Sequence, residues 1–324
     1  MSAEGDGPSD TVDIIATLFN GSAYLDAFLA SVQAQGHRTW RLWVRDDGST
    51  DATLDIVRGF AAGDSRIVIL QSGGPRLGPT AGFGWLLERV PPKSCYLMFA
   101  DQDDVWLPTK IARTLAEMRD AEALAPGPVL VHTDLMVVDD CLRVIDPSFW
   151  QYSGVHPELA SLRRLMVQNV ATGATIMLNR PLRELVGRLP AGAVYQDWWC
   201  ACVAAAFGRI VAVREATILY RQHGANAVGA RRDPQPRWFE LPGVAREAMR
   251  RTAQLRSELV RTARQAAAFL ELYGPRLSER DRRFLEAYAR LPEHGTLRRK
   301  LEVARLRLRR EHGFWRNLGV LLRA

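Results

Sequence analysis

The chain has 324 residues, of which 47% are hydrophobic and 24% charged, and its formal net charge is +7. This composition indicates a globular protein with a substantial core and excludes a disordered or fibrous chain. The charge is unevenly distributed: residues 231–324 contain 23 basic and 11 acidic side chains, whereas residues 1–230 contain 20 and 25. This asymmetry predicts two regions with different partners.

The cysteines and the N-terminus bear on the compartment of the protein. No two of the four cysteines form a CxxC pair, so we interpret them as reduced core thiols in a reducing compartment. These are Cys95, Cys141, Cys200 and Cys202. Residues 1–10 lack the pattern of a secretory signal, and the longest apolar run, 198–207, is shorter than the ~20 residues that span a bilayer. We expect a cytoplasmic protein, and peripheral contact with the inner face of the plasma membrane stays open.

Strand and helix patterns alternate through the first hundred residues. The predicted strands span residues 12–19, 40–44, 67–70 and 95–100, and the helices between them span 24–35, 52–60 and a segment that ends at Glu88. This alternation predicts a doubly wound, mostly parallel α/β sheet. Ligands of such sheets bind beyond the carboxyl ends of the strands, so we expect the residues at those ends to converge on one crevice.

The remaining chain continues the α/β pattern and then changes character. Beyond residue 110 we predict a helix, strands at 129–132, 135–138 and 172–178, a helix at 197–207, and strands at 210–213 and 216–220. Arginine-rich helices are predicted at 243–272, 278–290 and 297–310. The predicted organisation is a flexible tail (1–10), an α/β domain (11–230) and a helical basic C-terminal region (231–324).

Three carboxylates follow the predicted strand at 95–100, in the segment MFADQDDVWLP. Carboxylates close together repel one another, and their pKa values rise unless a cation compensates. Hard oxygen ligands suit Mg²⁺ or Mn²⁺, and Mg²⁺ usually takes one or two protein carboxylates and fills its other positions with water and phosphate oxygens. The pair Asp101 and Asp103 therefore predicts a site for a metal–diphosphate complex. The alternative is an acidic turn that caps the next helix, a position that suits Asp104.

Other strand ends carry polar groups suited to a nucleotide. Asp46 and Asp47 lie where a ribose or base would donate hydrogen bonds to their carboxylates, although DDGS is also a common turn sequence. Arg76 and Gly78 lie in the loop SGGPRLGPTAG, where Arg76 is either a phosphate contact or a solvated loop arginine. A GxxxxGK[ST] loop and a complete dinucleotide fingerprint are both missing, which disfavours ATPase and hydride-transfer chemistry.

Two further segments attract attention in the second half of the α/β region. Asp197 precedes two tryptophans in YQDWW at the start of an apolar helix. It is either an N-cap or a carboxylate whose pKa rises on an apolar wall towards that of a general base. His223, in YRQHGAN, is either an ordinary polar residue or a contact to a metal or phosphate.

These segments, in this order, resemble family 2 glycosyltransferases with the GT-A fold, in particular bacterial rhamnosyltransferases of polysaccharide assembly. The resemblance covers about residues 11–230. It is carried by TLFNGSAYLDAFLASVQAQ (17–35), VRDDGSTDAT (44–53), RLGPTAGFGWLL (76–87), FADQDDVWLPTKI (99–111), HTDLMVVDD (132–140), QNVATGATIMLNR (168–180), YQDWW (195–199) and YRQHGANAVG (220–229). It implies a GT-A type sheet followed by the helical basic extension.

The resemblance also implies roles for individual residues. Asp197 is the implied catalytic base. Asp101, Asp103 and His223 are the implied Mg²⁺ or Mn²⁺ site, with Asp103 as the direct ligand and His223 as a metal or phosphate contact. The donor-binding residues are Thr17, Asn20, Asp46, Asp47, Arg76, Gly78, Asp101, Trp198 and His223. Trp198, Trp199, Thr172 and Gly173 are expected to shape the sugar sites.

The implied reaction is a single displacement with inversion, from a nucleotide diphosphate sugar to a hydroxyl of a glycan or lipid-linked acceptor. The sugar suggested by the resemblance is rhamnose. Three departures, Phe19, Arg45 and Gln196, stand where relatives often have Tyr, a small residue and His, and they leave the base and the sugar open. The oligomeric state also stays open.

The basic C-terminal region allows three interpretations. From Arg298 onward, nine basic and two acidic residues are interleaved with apolar ones, which suits either an anionic membrane surface or a helical appendage packed on the catalytic domain. A nucleic-acid-binding protein is a second function class, but it leaves the strand-end carboxylates unexplained, and we expect no nucleic-acid partner.

A nucleotidyltransferase is a third function class. It would share the metal–phosphate crevice, but its reaction would give Asp197 no catalytic role.

Overall fold

The computed structural model describes residues 10–91, 94–224, 244–306 and 308, with the backbone alone for 244–254. Parts of three predictions lie outside the described residues. These are positions 1–9 of the predicted tail, residues 225–229 of the last family segment, and residues 309–324 of the basic C-terminal stretch.

The first half of the α/β region confirms the predicted alternation. Its elements are β1 (Val12–Leu18), α1 (Leu25–Gln33), β2 (Trp40–Asp46), α2 (Thr53–Gly63), β3 (Ile67–Gln71), α3 (Pro79–Arg89) and β4 (Tyr96–Ala100). β4 is buried along its whole length, as expected of a central strand covered on both faces. Pro79 opens α3, where its missing N–H costs no hydrogen bond.

The second half contains more elements than the sequence pattern predicts. In chain order they are β5 (Val105–Trp106), α4 (Lys110–Leu124), β6 (Val129–Val138), β7 (Val144–Asp146), α5 (Phe149–Ser153), α6 (Leu162–Leu165), β8 (Met177–Asn179), α7 (Arg180–Val186), α8 (Gln196–Phe207) and β9 (Arg209–Arg221). β5, β7, α5, α6 and α7 were not predicted. All of them are short, between two and seven residues, so they carry little periodic signal.

Three strand predictions need correction. The pieces at 129–132 and 135–138 are one strand, β6, because the carboxylate of Asp134 is satisfied inside the fold by the N–H groups of Leu135 (2.8 Å) and Trp150 (3.2 Å). The pieces at 210–213 and 216–220 are likewise one strand, β9, with an irregular register against β6. The strand predicted at 172–178 begins instead as a 3₁₀ turn, since the Thr172 carbonyl accepts hydrogen bonds from the N–H and hydroxyl of Thr175.

The sheet has nine strands in the order β3-β2-β1-β4-β8-β6-β9-β5, with β7 paired to β6. β3, β2, β1 and β4 are mutually parallel, as are β6 and β9. β8 runs antiparallel between β4 and β6 and joins the two parallel groups. Most paired residues are in parallel register, which confirms the predicted mixed α/β fold with a mostly parallel sheet.

The predicted C-terminal helices are present as α9 (Val244–Tyr273), α10 (Glu279–Ala289) and α11 (Thr296–Arg305). Their apolar faces share one hydrophobic cluster with α6 and α8. The division of the chain at residue 230 stays a prediction. Among the described helices, none is long and apolar enough to cross a membrane.

The cysteine interpretation is only half right. Cys200 and Cys202 lie in the core on α8, but Cys141 is exposed and Cys95 is partly exposed. All four are free thiols. The sequence context was a usable signal, since Cys141 follows Asp139 and Asp140 whereas Cys200 and Cys202 lie in the apolar run 198–207.

Candidate active site

The acidic segment emerges from the sheet immediately after β4, beside the end of β1. The side chain of Gln102 joins the two strand ends: its Oε1 accepts from the Phe19 N–H and its Nε2 donates to the Phe19 carbonyl, both at 2.9 Å. The contact is so close that a Cβ at Gly21 would lie 2.5 Å from the Gln102 amide carbon. Sequence reasoning missed Gln102. The available signal was the predicted parallel pairing of β1 and β4. In the structure Ala16 is in register with Ala100, so the residues that follow them, among them Phe19 and Gln102, lie at the same edge of the sheet.

Asp103 and His223 meet at this edge of the sheet. The His223 Nε2 lies 2.9 Å from an Asp103 carboxylate oxygen, and the two side chains are 8% and 20% exposed. The His223 ring stacks on the Tyr24 ring with centroids 4.5 Å apart. Residues 120 positions apart in the sequence, which the resemblance assigns to one metal or phosphate site, are therefore direct neighbours.

Asp104 has a structural role that differs from the predicted one. Helix α4 begins at Lys110 with Thr109 at its N-cap, so Asp104 does not cap it. Its buried carboxylate instead accepts from the Arg221 N–H at 3.1 Å, and the Arg221 Nε donates to the Asp103 carbonyl at 3.0 Å. Burial, reinforced by the charges of Asp103 and Asp101, raises the pKa of Asp104. This carboxylate anchors the acidic segment to β9.

Asp101 links the acidic segment to the second half of the site. Burial raises the pKa of this carboxyl, and the negative charges of Asp103 and Asp197 raise it further. Charges act on one another at this strength only across short distances in a poorly hydrated space. Asp101 therefore lies within electrostatic range of both Asp103 and Asp197.

Asp197 lies in the first turn of α8, one residue after its start, and Tyr195 occupies the N-cap position. The N-cap alternative for Asp197 is therefore wrong. One carboxylate oxygen accepts from the Trp198 N–H at 2.8 Å, and the other accepts from the Asn169 Nδ2 at 3.1 Å. Burial raises the pKa of Asp197 to about 6, against the hydrogen bonds that favour its charged form. A carboxylate with this pKa accepts a proton readily near neutral pH.

Asn169 is a second residue that sequence reasoning missed. Its amide bridges the backbone of its own loop, with Oδ1 accepting from the Ala171 N–H at 3.1 Å and Nδ2 donating to the Ala171 carbonyl at 2.9 Å. The same Nδ2 donates to Asp197, 28 residues away. The only signal for this contact was its place in the family segment QNVATGATIMLNR.

The two tryptophans after Asp197 point to different places. Trp198 is partly exposed, its indole Nε1 donates to the Leu165 carbonyl, and its ring packs against the hydrophobic cluster. Trp199 is fully buried against Phe269 of α9, with ring centroids 5.3 Å apart. Trp199 therefore does not contact a sugar, contrary to expectation, because the C-terminal helix covers it.

Asp46 and Asp47 organise the loops around the end of β2, which extends to Asp46 itself. Asp46 accepts from the N–H groups of Gly48, Ser49 and Gly73 at 3.2–3.4 Å. It is 1% exposed. These bonds correspond to the turn alternative, so any nucleotide contact by Asp46 adds to a structural role.

Asp47 is more tightly held. It forms an ion pair with the buried Arg45 and accepts from the N–H groups of Leu77 (2.8 Å) and Gly78 (2.7 Å). Burial opposes ionisation, but these donors outweigh it and lower the pKa of Asp47. Gly78, with φ +79°, is placed by this carboxylate at the start of α3. The unexpected Arg45 is thus the counter-ion of a carboxylate that fixes the Gly/Pro loop.

Three other predicted donor residues, Thr17, Asn20 and Arg76, lie near the end of β1 or contact it. The hydroxyl of Thr17 is buried and has no hydrogen-bond partner among the described residues, and a Cβ at Gly82 would lie 2.7 Å from the Thr17 methyl carbon. Asn20, with φ +45°, accepts from the Thr50 N–H at 2.8 Å. The guanidinium of Arg76 lies 3.7 Å over the Phe19 ring, so it is held at the end of β1.

The acidic segment fits a divalent cation that is shared with a ligand. Within the described part of the chain, no three His, Cys, Asp or Glu side chains form a ready-made metal cage. Asp101 and Asp103 nevertheless offer hard oxygen donors, and the raised pKa of Asp101 shows that nearby cations do not compensate its charge. This donor set suits Mg²⁺ or Mn²⁺ completed by water and phosphate oxygens.

Comparison with known proteins finds a similarity to one family in the first half of the chain. Residues 13–156 match the family model described as Glycosyl transferase family 2. The match covers less than half of the chain, so it shows a similarity to this family over residues 13–156. The segment contains β1, the acidic segment and β6, but ends before Asn169, Asp197 and His223.

Curated relatives are similar to this chain over 30% to 66% of its length. An uncharacterized glycosyltransferase of Nostoc is 28% identical over 225 residues, 66% of each chain. TuaG of Bacillus subtilis, a putative teichuronic acid biosynthesis glycosyltransferase, is 32% identical over 34% of this chain and 42% of its own length. RfbG of Shigella flexneri, a dTDP-rhamnosyl transferase, is 31% identical over 30% of this chain and 34% of its own. This chain thus spans at most about two thirds of these relatives.

Solved structures of GT-A glycosyltransferases share the fold. Staphylococcus aureus TarS 1–349 in complex with UDP-GlcNAc superposes with a TM-score of 0.52 at 14% identity, over 90% of this chain and 83% of that chain. The mannosyltransferase PcManGT of Pyrobaculum calidifontis in complex with GDP-Man and Mn²⁺ has a TM-score of 0.51 at 16% identity, over 96% and 85%. At these identities the likeness shows the fold alone, which confirms the GT-A expectation.

Proposed function

We propose that the protein is an inverting, metal-dependent glycosyltransferase. It transfers a sugar from a nucleotide diphosphate to a hydroxyl of a glycan or lipid-linked acceptor in bacterial surface polysaccharide synthesis. The observations that carry the proposal are the 2.9 Å contact between Asp103 and His223 and the position of Asp101 within electrostatic range of both Asp103 and Asp197. A pair of carboxylates suited to a metal–diphosphate and a carboxylate suited to a general base share one crevice, and this combination suits sugar transfer.

In the proposed reaction, Asp197 removes the proton from the acceptor hydroxyl, and the oxygen forms a bond to the anomeric carbon. The bond from that carbon to the diphosphate breaks, the electron pair leaves with the diphosphate, and one displacement inverts the configuration. Asn169 and the Trp198 N–H orient the carboxylate, each through one of its two oxygens. A well-placed general base contributes ~10²–10⁴ in rate.

The diphosphate end of the donor belongs to the acidic segment. Asp103 and Asp101 would hold Mg²⁺ or Mn²⁺, which supplies positive charge beside the departing diphosphate. His223 fixes the orientation of Asp103 through its 2.9 Å contact, and its ring is in turn held by Tyr24. Arg76, fixed over Phe19, presents a cation at the same mouth. The Thr17 hydroxyl has no hydrogen-bond partner among the described residues but is buried, so its contact with the donor stays a prediction.

The donor and the acceptor are supported by the relatives' names. RfbG supports dTDP-rhamnose as the donor, and the TuaG name supports a polysaccharide acceptor. The GDP-Man and Mn²⁺ complex of PcManGT supports a divalent metal on this fold. The Asp46 and Asp47 loops would face the nucleoside.

A donor panel tests the proposed function. The purified chain is incubated with dTDP-rhamnose, UDP-GlcNAc or GDP-mannose, with Mn²⁺, with Mg²⁺ or with EDTA. We expect one donor to raise the melting temperature and to release nucleoside diphosphate slowly by hydrolysis, in both cases only with metal present. Absence of any response from the whole panel, or equal hydrolysis in EDTA, would contradict the proposal.

The two alternative functions have weaker support. A nucleotidyltransferase would share the metal site but would leave the pKa and the hydrogen bonds of Asp197 without a task. A nucleic-acid-binding protein would use free arginines of the C-terminal helices, yet on α10 Arg282 pairs with Glu279 and Glu286, and Arg283 pairs with Glu279. These pairs reduce the positive charge that a phosphate backbone would meet.

The C-terminal helices pack on the rest of the chain, and we propose that one exposed face of α11 also contacts a membrane. α9 and α10 pack on the catalytic part through their apolar faces. On α11, Leu297 and Leu301 are 76% and 64% exposed, and Arg298 lies beside them. We place any peripheral membrane contact on this face. Flotation with anionic but not with neutral phosphatidylcholine vesicles, lost in Leu301→Asp, is the expected result; equal flotation of parent and variant would contradict it.

A further inference from the structure

Helix α9 contacts the segment that leads into α8, the helix that carries Asp197. The side chain of Gln265 on α9 is fully buried, and its Oε1 accepts from the Val194 N–H at 2.8 Å. Val194 lies three residues before Asp197 and just ahead of the first residue of α8. The amide of Gln265 therefore binds the backbone at the entrance to the helix on which the proposed base is located.

Aromatic contacts hold α8 at both ends. Near its start, Trp199 packs against Phe269 and Tyr273 of α9, with ring centroids 5.3 and 6.1 Å apart. At its end, Phe207 packs against Tyr273 at 5.4 Å. The Tyr273 hydroxyl also donates to the Leu185 carbonyl at 2.9 Å, which ties α9 to α7. These contacts restrict sliding of α8 along its axis and rotation about it.

The loop before α8 also lies directly on α9. A Cβ at Gly192 would come within 2.9 Å of the Ala268 Cβ and 3.2 Å of the Arg264 carbonyl oxygen. The Arg261 guanidinium lies 5.1 Å from the centre of the Tyr195 ring, at the N-cap of α8. The chain from residue 192 to residue 195 is thus fitted to α9 at successive positions.

The buried Gln265 side chain supplies the hydrogen-bond acceptor that the Val194 N–H needs. Burying a polar side chain is unfavourable unless it is hydrogen-bonded, and an apolar residue here would leave the Val194 N–H without its acceptor. The described part of α9 buries two polar side chains, Thr262 and Gln265. Thr262 faces the other way, since its hydroxyl lies 2.8 Å from the Tyr288 hydroxyl of α10. Only Gln265 of this pair reaches the Asp197 helix.

We infer that Gln265 is a positioning residue for Asp197 and that helix α9 forms the rear support of the reaction centre. The inference rests on the proposed function, in which Asp197 is the base. Fixing Val194 sets where the first turn of α8 begins, and hence where the Asp197 carboxylate meets the acceptor oxygen. A displacement of about 1 Å at a reacting group costs on the order of 10²-fold in rate.

The test compares two variants of the same helix. Gln265→Met keeps the volume but removes the acceptor for Val194, whereas Thr262→Val removes a buried hydrogen bond to α10 one turn away. Both changes lower the melting temperature by a similar amount, because each deletes a buried hydrogen bond. We expect Gln265→Met to lower kcat for hydrolysis of the best panel donor by ~10–100-fold with the donor KM unchanged within about twofold. For Thr262→Val we expect both constants to stay within about twofold of the parent.

Hydrogen–deuterium exchange of the peptide over residues 190–200 provides a readout that needs no substrate. Exchange at Val194 should become faster in Gln265→Met and stay as in the parent in Thr262→Val. Equal loss of kcat in both variants, or faster exchange in Gln265→Met with kcat unchanged, would overturn the positioning role. If the parent turns over no donor, the proposed function itself fails; if the parent is active and Gln265→Met matches it, only the inference fails.

Discussion

Replacing Asn169 with alanine tests whether Asp197 acts as a base with a tuned pKa. The Asn169 Nδ2 donates to a carboxylate oxygen of Asp197 at 3.1 Å, and this bond favours the charged form. The pKa of Asp197 is about 6 with the bond present. Removing the donor therefore raises the pKa, and the fraction of enzyme that carries an ionised base at a given acidic pH falls.

The size of the shift follows from the geometry. A hydrogen bond to a charged group contributes ~1.5–3 kcal/mol, and the lower end applies because the same Nδ2 is shared with the Ala171 carbonyl. About 1.4 kcal/mol corresponds to one pH unit, so the acid limb of kcat should move from about 6 to about 7. At pH 6 the parent is then about half ionised and the variant about one tenth, which predicts a roughly fivefold difference. The rates should converge at alkaline pH.

The assay is nucleoside diphosphate release from the best panel donor at saturating concentration, followed between about pH 5 and about pH 8. Stabilisation of Asn169→Ala by nucleoside diphosphate and metal, equal to that of the parent, controls for damage to the fold. An acid limb that stays in place, or that moves to lower pH, would refute the assignment of Asp197 as the titrating base.

Two further predictions concern binding and stability. Gln102→Leu removes both hydrogen bonds to the Phe19 backbone, which together contribute about 1–2 kcal/mol. The donor KM should therefore rise ~5–30-fold with kcat nearly unchanged. An unchanged KM in initial-rate assays would contradict the link between the two strand ends. Burial lowers the pKa of His132 from 6.5 to about 4. Between these pH values the unfolded chain binds a proton that the folded chain does not, so the free energy of unfolding falls by about 3 kcal/mol in all as the pH falls from 6.5 to about 4. Urea unfolding of His132→Phe should show a smaller loss across that window, and an equal loss would show that His132 does not titrate there.

The sequence predicted the sheet and the acidic segment because both leave local patterns. β1, β2 and β4 are apolar runs that end in polar turns, and parallel pairing then aligns their carboxyl ends. Asp101 and Asp103 could be found because like charges at a strand end are unusual. Their proximity to Asp197 depended on the family resemblance, since no local pattern relates residues so far apart.

What the sequence did not predict depends on contacts between distant elements. The role of Asp104 as an anchor for β9 requires the Arg221 N–H, which lies 117 residues away. Trp199 was predicted to shape a sugar site, but in the fold it is buried against Phe269 of α9. Gln102 and Asn169 are ordinary amides in the sequence, and only the fold shows that Gln102 joins two strand ends and that Asn169 joins its loop to Asp197. Short elements such as α6 were missed because four residues carry no helical period.

Turnover by Asp197→Asn is the most direct test of the account, measured with the best panel donor and metal. Asparagine keeps the shape of the side chain but cannot accept the proton. We predict a loss of ~10²–10⁴ in kcat together with parent-like thermal stabilisation by the donor. Nucleoside diphosphate release at the parent rate would contradict the central role given to this carboxylate.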